Sequence, residues 1–193
     1  MNNLDRAYNF VFRGLLADEA LDSAGRAPPS LTSELDAALE EKLSLLTLAE
    51  RHAVAAKRMA VVYVAIAAFE NMARDLIEKV LADAYKEEWW AKGASDKIRK
   101  RAEERKLEEE KFRWHTPRGE HPIHYTDFGD LANIVRQQIA IFEPHVRSAE
   151  WVDSIFDVLE RSRNVIMHSG QLADRDVERV GINIRDWIAQ VGA

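Results

Sequence analysis

Residues 161–170 place basic, amide and imidazole side chains close together near the C-terminal end of a predicted amphipathic helix. Arginine can hold a phosphate in a planar fork, and histidine can give or take a proton near neutral pH. The side chains that could act on a phosphodiester are Arg163, Asn164 and His168, with Arg161 as an alternative arginine. No obvious metal ligands stand beside them in the sequence, so the residue types favour metal-free chemistry.

Helical geometry limits how these side chains could meet. Asn164 and His168 share a face because four positions amount to about one turn, and Arg161, seven positions before His168, shares it too. Arg163 lies about 140° around a regular helix from His168. A distorted last turn, or a site formed by two chains related by a two-fold axis, would bring Arg163 and His168 together.

The arrangement of Arg163, the polar Asn164 directly after it and His168 resembles the signature of the HEPN superfamily of small all-helical domains. Arg161 also fits the family spacing, but Ser162 follows it, which is a weaker match than Asn164. Further segments resemble, in order and approximate spacing, one subgroup found at the end of the nuclear messenger-RNA surveillance endoribonuclease and in many bacterial proteins. These segments are residues 63–77, Trp89 with Trp90, and residues 125–131.

The resemblance implies a metal-independent endoribonuclease without cofactors. His168 would act as general base or acid on the ribose 2′-hydroxyl and the leaving 5′-oxygen, and Arg163 would stabilise charge on the phosphate. Asn164 would orient the histidine or the phosphate. The expected products are a 2′,3′-cyclic phosphate and a 5′-hydroxyl, and the expected substrate is RNA, because DNA lacks the attacking hydroxyl.

The resemblance also implies a homodimer with a composite site at its interface, and a place in bacterial defence or a toxin system with an antitoxin or regulatory partner. In the toxin branch that adenylylation silences, a tyrosine stands two residues after the histidine, where this chain has Gly170. That form of control is therefore not expected here. The alternative functions are a non-catalytic HEPN module that binds RNA or nucleotides, or one that serves dimerisation and regulation.

Glu70, Asn71 and Arg74 are the candidate supporting residues on the predicted core helix. Glu70 and Arg74 stand four residues apart, so they could form an ordinary helix ion pair. Alternatively, Glu70 or Asn71 projects toward the motif helix and positions Arg163, since a carboxylate buried at that edge needs a partner.

Composition favours one all-α domain over residues 1–193, an up-and-down bundle with an N-terminal arm and linker at 1–31 and a helical core at 32–193. The chain has 193 residues, of which 47% are hydrophobic, with only eight glycines and five prolines. The absence of cysteine excludes disulfides, thiolate metal sites and cysteine nucleophiles.

The sequence favours a cytoplasmic protein that makes no use of a membrane. The N-terminus lacks a basic region followed by an apolar core, and the longest apolar run, residues 59–69, is shorter than the roughly 20 residues of a membrane span. We interpret that run as a helix buried on all sides, or one shared with a partner subunit.

Two other segments could bind ligands. Residues 97–106 are basic, but the net charge of −6 and the interleaved acids favour a solvated helix over an RNA-contacting arm. Histidines in a proline-containing loop could hold a metal, although solvated side chains are the favoured interpretation; they are His115, His121 and His124. Trp89 and Trp90 could stack on bases, but we expect one of them in the core.

Periodicity and punctuation predict the remaining elements. Helices are expected at residues 3–20, from about 33 to 90 with an interruption near 44–47, at 96–112, at 127–142, from Ser148 to Gly170, and at 173–189. The predicted N-cap is Thr126 or Asp127 for the helix before Pro144 and Ser148 for the motif helix, which Gly170 is expected to end. In the last helix the residues expected to face inward are Val177, Val180, Ile184, Trp187 and Ile188.

Overall fold

The computed structural model describes residues 31–191. The described residues form helices joined by turns and loops, with no β-strand among them, which confirms the predicted all-α fold. The predicted first helix at 3–20, and the arm and linker except for Leu31, lie outside the described residues. The chain divides between Ala53 and Val54 into two compact units.

The first unit contains α1 (Leu31–Lys42) and a 3₁₀ turn (Leu45–Thr47). Ser44, with a φ of 52°, precedes the turn in the left-handed region, which confirms the predicted interruption. From there the long helix α2 (Glu50–Tyr85) runs on into the second unit.

The second unit continues with a 3₁₀ turn (Lys86–Glu88), α3 (Trp89–Gly93) and α4 (Asp96–Glu110). After a loop and a 3₁₀ turn (Pro122–Tyr125) come α5 (Phe128–Gln137), α6 (Ile139–Phe142), α7 (Ala149–Met167) and α8 (Asp174–Val191). The long helix therefore ends at Tyr85 rather than at Trp90, because Lys86 takes a positive φ of 55°.

One face of α2 supplies the centre of the core. Its buried residues recur at helical spacing, and Phe69 contacts the rings of Phe128, Phe156 and Trp187 with centroids 5.3–6.2 Å apart. Helices α5, α7 and α8 thereby close on α2, with α7 packed against both α5 and α8. Aromatic burial of this kind is the dominant favourable contribution to folding.

The interpretation of residues 59–69 as a helix buried on all sides is wrong for the single chain. Met59 and Ile66 are buried, but Val61 is 72% exposed and Val64 is 66% exposed, because they lie on the opposite face of the helix. The alternative, a helix shared with a partner subunit, stays a prediction. By length and composition the segment Glu50–Gly93 could cross a membrane, a criterion that core helices of soluble proteins also meet.

Helix α8 departs from the predicted pattern at one residue. Val180 and Trp187 are buried as expected, and Val177 and Ile184 are partly buried. Ile188 was expected to face inward but is exposed, because it lies about 100° around the helix from Trp187.

Candidate active site

Ser148 starts the motif helix α7. Its side-chain oxygen accepts a hydrogen bond from the backbone N–H of Trp151 at 3.2 Å, which confirms the predicted N-cap. Apolar residues of α7 then recur every three or four positions and face the core, and the buried ones are Val152, Ile155, Phe156 and Leu159. This packing fixes the rotation of the helix and so decides which motif side chains reach solvent.

The helix ends in a Schellman motif. Regular helix continues to Met167, and His168 is the C-cap. The N–H of Ser169 donates to the carbonyl of Ile166 at 2.9 Å, and the N–H of Gly170 donates to that of Val165 at 2.8 Å. The left-handed residue is Ser169, with a φ of 60°, and not Gly170, which was predicted as the stop.

Gly170 is needed for a different reason. A Cβ at this position would lie 2.8 Å from both the carbonyl oxygen and Cγ1 of Val165, which is too close for any side chain. The glycine therefore permits the chain to fold back over the last helical turn, directly after His168.

Because α7 is regular up to its cap, the last turn does not rotate Arg163 toward His168. The N–H of His168 still donates to the carbonyl of Asn164 at 3.1 Å, as in an undistorted helix. Asn164, His168 and Arg161 are exposed on one face, whereas Arg163 is partly buried on another. Of the two geometries that could unite Arg163 with His168, a distorted turn is absent from the described helix.

Arg163 points into a small polar cluster at the α2–α7 contact. Its Nη1 donates to both carboxylate oxygens of Glu70 at 3.3 Å, and its guanidinium lies 5.5 Å from the centroid of the Phe128 ring. A carboxylate oxygen of Glu160, one turn earlier on α7, is 3.9 Å from Nη2. The arginine side chain is 22% exposed, so its guanidinium is held in place without being sealed from solvent.

Glu70 joins two arginines. It is 8% exposed, and in addition to Arg163 it accepts a hydrogen bond from Arg74 at 2.5 Å. Arg74 also donates to the carbonyl of Thr126 at 3.1 Å and to the side-chain oxygen of Asn71 at 2.9 Å. The helix ion pair and the contact with Arg163, which were expected as alternatives, are both present, and Asn71 contacts Arg74 rather than Arg163.

Glu160 titrates abnormally in this environment. Burial raises the pKa of the Glu160 carboxyl, and the nearby negative charge of Asp127 raises it further, while Arg163 opposes the shift. Glu160 was not singled out from the sequence, and Phe128 was included only as part of the segment 125–131. The one signal for Glu160 was its helical position three residues before Arg163.

Arg161 occupies a different surface. Its Nε donates to a carboxylate oxygen of Asp157 at 2.9 Å, and it lines a shallow cleft of about 200 Å³ together with Arg179 of α8. The structure thus brings Arg163, Glu70 and Arg74 together, and places Arg161 with Asn164 and His168 on the exposed face of α7.

The basic segment at 97–106 supports the fold through a network that sequence reasoning missed. Arg101 and Arg105 contact Asp130 at 2.6 and 2.9 Å, and Arg105 contacts Asp127 at 2.7 Å. Asp127 and Asp130 also form the capping box that starts α5. Thr126 and Asp127 were the alternative predicted caps, and the box shows that the cap is Asp127. The box also anchors Arg101 and Arg105, which had been expected only to pair within a solvated helix.

The pKa values of the two carboxyls in this network are shifted in opposite directions. Burial would raise the pKa of Asp127, but the backbone N–H of Asp130 and the Arg105 guanidinium outweigh burial and lower that pKa. Burial and the charge of Asp127 raise the pKa of Asp130 despite its arginine partners.

The loop histidines are largely built into the structure rather than solvated. His121 stacks on Trp89 with centroids 4.7 Å apart, His124 is partly buried, and His115 is exposed. Among the described residues no three His, Asp or Glu side chains are grouped so that they could hold a metal ion. Trp89 is buried, as expected for one member of the tryptophan pair.

Comparison with known proteins identifies the family. The profile of the Swt1-like HEPN family matches residues 65–192, which include the long core helix from Ala65 onward and the whole of the motif helix. Neither the curated proteins nor the solved structures contain a significant match. Since the family profile covers more than half of the sequence, the chain belongs to the Swt1-like HEPN family.

Proposed function

We propose that this protein is a metal-independent endoribonuclease that cleaves RNA by attack of the ribose 2′-hydroxyl on the adjacent phosphate. The observation that carries the proposal is the exposed imidazole of His168 at the cap of α7, in a HEPN chain whose motif arginine is held by Glu70. An exposed imidazole can reach a polymer, which a buried one cannot.

The chemistry divides between proton transfer and charge stabilisation. His168 takes the proton of the 2′-hydroxyl or gives one to the leaving 5′-oxygen, and Asn164, one turn before it, orients the imidazole or the phosphate. Arg163 stabilises the charge that builds on the phosphate. Its bonds to Glu70 restrict the motion of the guanidinium, so less conformational freedom is lost when the phosphate binds.

We further propose that the site is completed across a homodimer. Arg163 and His168 face different directions on one regular helix, so a second copy is the remaining way to unite them. Large exposed apolar side chains support such a contact, with Val61, Val64 and Met72 on α2 and Met167 on α7. A two-fold axis makes the same patch serve both partners.

The biological setting that we propose follows from the family resemblance. We place the activity in the cytoplasm, in a bacterial defence or toxin system in which an antitoxin or regulatory partner restrains the nuclease. RNA is the proposed substrate, and neither a cofactor nor a membrane takes part.

Incubation of purified protein with RNA in excess EDTA tests the proposal. Wild type is expected to leave 2′,3′-cyclic phosphate ends, and His168→Ala is expected to lose at least about a hundredfold in rate, as removal of a general acid–base usually does. A strand in which every 2′-hydroxyl is replaced by hydrogen should remain intact. Cleavage of that strand, or a strict metal requirement, would contradict the mechanism.

The second candidate is a non-catalytic HEPN module that binds RNA or nucleotides, or that serves dimerisation and regulation. The contacts of Arg163 with Glu70 and Phe128 favour it, because they give the motif arginine a structural role inside one chain. RNA binding without cleavage would support the binding module, and an intact dimer without RNA affinity would support the regulatory one.

A further inference from the structure

The segment that follows α4, residues 111–118, alternates basic and aromatic side chains and contains no acidic one. Its basic members are Lys111, Arg113 and Arg118, and its aromatic members are Phe112, Trp114 and His115. Neither the motif helix nor the core explains this composition.

The aromatic side chains of the segment are presented to solvent. Trp114 is 83% exposed, and Phe112 is also exposed, although contact of these apolar rings with water is unfavourable compared with burial. The two rings meet edge to face with centroids 6.4 Å apart, and His115 packs edge to face on Trp114 at 5.6 Å. Together they form a contiguous aromatic surface.

The surface is held by a defined turn. The N–H of Phe112 donates to the carbonyl of Glu109, and the N–H of His115 donates to that of Phe112, both at 2.9 Å. Arg118 closes the loop back onto α4, since its backbone N–H donates to Glu109 at 3.1 Å and its side chain pairs with the same carboxylate. The guanidinium of Arg118 also lies 5.7 Å from the centroid of the Tyr125 ring.

The same turn is joined to the candidate active site through the backbone. Tyr125 is followed by Thr126, whose carbonyl accepts the hydrogen bond from Arg74 in the Glu70 cluster. Beside the turn lies a largely apolar cleft of about 410 Å³, lined by Phe112, Trp114 and Pro117 among others. A cleft of this size can admit one planar ring.

We propose that the turn at residues 111–118, here named the aromatic turn, binds single-stranded RNA by stacking unpaired bases on Trp114 and Phe112 while Arg113 contacts the backbone phosphate. Exposed aromatic rings beside cations are the general solution for binding single strands without sequence preference. The proposal deepens the proposed function, because it supplies a second contact for the same RNA substrate.

The positive charge of Arg113 favours a nucleic acid as the ligand of the aromatic turn. Of the neighbouring carboxylates of α4, Glu109 pairs with Arg118 and Glu108 with Lys111, whereas Glu110 is exposed and has no ion pair with a described residue. Arg113, next to Trp114, has no ion pair with any described residue, so its charge is available to a phosphate. A neutral apolar peptide would use the rings but would leave this cation unmatched.

The test uses a fluorescein-labelled ten-residue oligothymidylate, which has no 2′-hydroxyl and so reports binding independently of cleavage. Fluorescence anisotropy should show that wild type binds it, that Trp114→Ala weakens binding by roughly tenfold, and that Trp114→Tyr restores most of the loss. Arg113→Ala should lower the slope of log affinity against log salt by about one. Leu46→Ala, which removes an exposed apolar side chain from the first unit, serves as the control.

The outcomes separate the two proposals. Binding of the oligothymidylate that depends on Trp114 supports the aromatic turn even if no RNA is cleaved. RNA cleavage with unchanged KM in Trp114→Ala, or equal oligothymidylate binding by wild type and Trp114→Ala, would overturn the aromatic turn while leaving the nuclease intact. Binding of a duplex of the same length with equal affinity would also overturn it, because paired bases cannot stack on the rings.

Discussion

Arg163 of α7 donates to both carboxylate oxygens of Glu70 on α2, at 3.3 Å each, and thereby joins the motif helix to the core helix. The carboxylate also accepts from Arg74, so one buried negative charge compensates two arginines. The relationship makes Glu70 both a stabilising residue and the positioning residue for the proposed phosphate contact.

Replacement of Glu70 by glutamine should destabilise the fold. The change leaves Arg74 without a carboxylate, and Arg163 with only the more distant Glu160, in a partly buried environment. We expect a loss of about 2–3 kcal/mol, less than for a fully buried pair because Arg163 reaches solvent. Urea unfolding measures the change, with Glu103→Gln on the exposed side of α4 as a control. An unchanged midpoint would show that the cluster contributes nothing to stability.

The carboxylate of Asp130 should matter more than any other in the capping network. It is 2% exposed and contacts Arg101 and Arg105, so Asp130→Ala leaves Arg101 without its carboxylate partner and Arg105 with Asp127 alone. We expect a cost of about 1–3 kcal/mol, less than for a fully buried pair because both arginines reach solvent. Thermal unfolding should show the loss. Double substitution of Arg101 and Arg105 by Met on the Asp130→Ala background should recover part of it, whereas no recovery would contradict the proposed cause.

The stacked imidazole of His121 predicts a pH dependence of stability. Burial between neighbouring groups lowers the pKa of His121, and the charge of His124 lowers it further while Glu78 opposes. Because the pKa of His121 is lower in the folded than in the unfolded chain, the unfolded chain takes up the proton first as pH falls. The stability that depends on a neutral His121 is therefore fully present above about pH 6.5 and is lost as pH falls through the folded pKa. His121→Phe, which keeps the ring on Trp89, should flatten the dependence, whereas His115→Phe should leave it unchanged.

The helix end beside His168 can be tested through two neighbouring residues. Ser169→Gly should stabilise the protein by about 0.5–1 kcal/mol, because glycine adopts the left-handed conformation without strain. Gly170→Ala should destabilise it, because the added methyl group would meet Val165. Calorimetry of both variants checks the prediction. Destabilisation by Ser169→Gly, or stabilisation by Gly170→Ala, would contradict the assigned Schellman motif.

The exposed apolar face of α2 predicts the oligomeric state. Val61→Glu should convert the proposed dimer into a monomer and abolish cleavage without loss of helical content, because the side chain is 72% exposed in the single chain. Sedimentation velocity and circular dichroism measure both effects. A wild-type protein that is monomeric at micromolar concentration would contradict the dimer.

Sequence patterns predicted the parts of this molecule that local rules control. Ser148 was predicted as a cap, and Asp127 as one of two candidates with Thr126, because a cap is set by one side chain and the two or three residues after it. The roles of Arg101 and Arg105 were missed because their partners lie more than twenty residues away, and helical periodicity contains no information about such pairs.

The candidate site was also predictable from the sequence only where local spacing decides the outcome. Helical spacing placed Asn164 and His168 on one face, and the structure has both exposed there. Spacing could not decide between the two possible partners of Glu70, because the answer depends on how α2 packs on α7. The position of the left-handed residue was also missed, since the general preference for glycine pointed to Gly170 rather than to Ser169.

The central claim is that Arg163 of one chain and His168 of another form one nuclease site. It is tested most directly by mixing Arg163→Ala and His168→Ala proteins, exchanging subunits, and measuring RNA cleavage in EDTA. Random exchange makes half of the dimers mixed, each with one intact site, so recovery to about a quarter of wild-type activity is expected from two nearly inactive parents. An equal mixture of Arg161→Ala and His168→Ala should show only the average of its parents' activities. Arg161→Ala retains both Arg163 and His168, so exchange restores no site that its own dimers lack. If the Arg163→Ala and His168→Ala mixture stays as inactive as its parents while wild type cleaves RNA, the shared site is wrong.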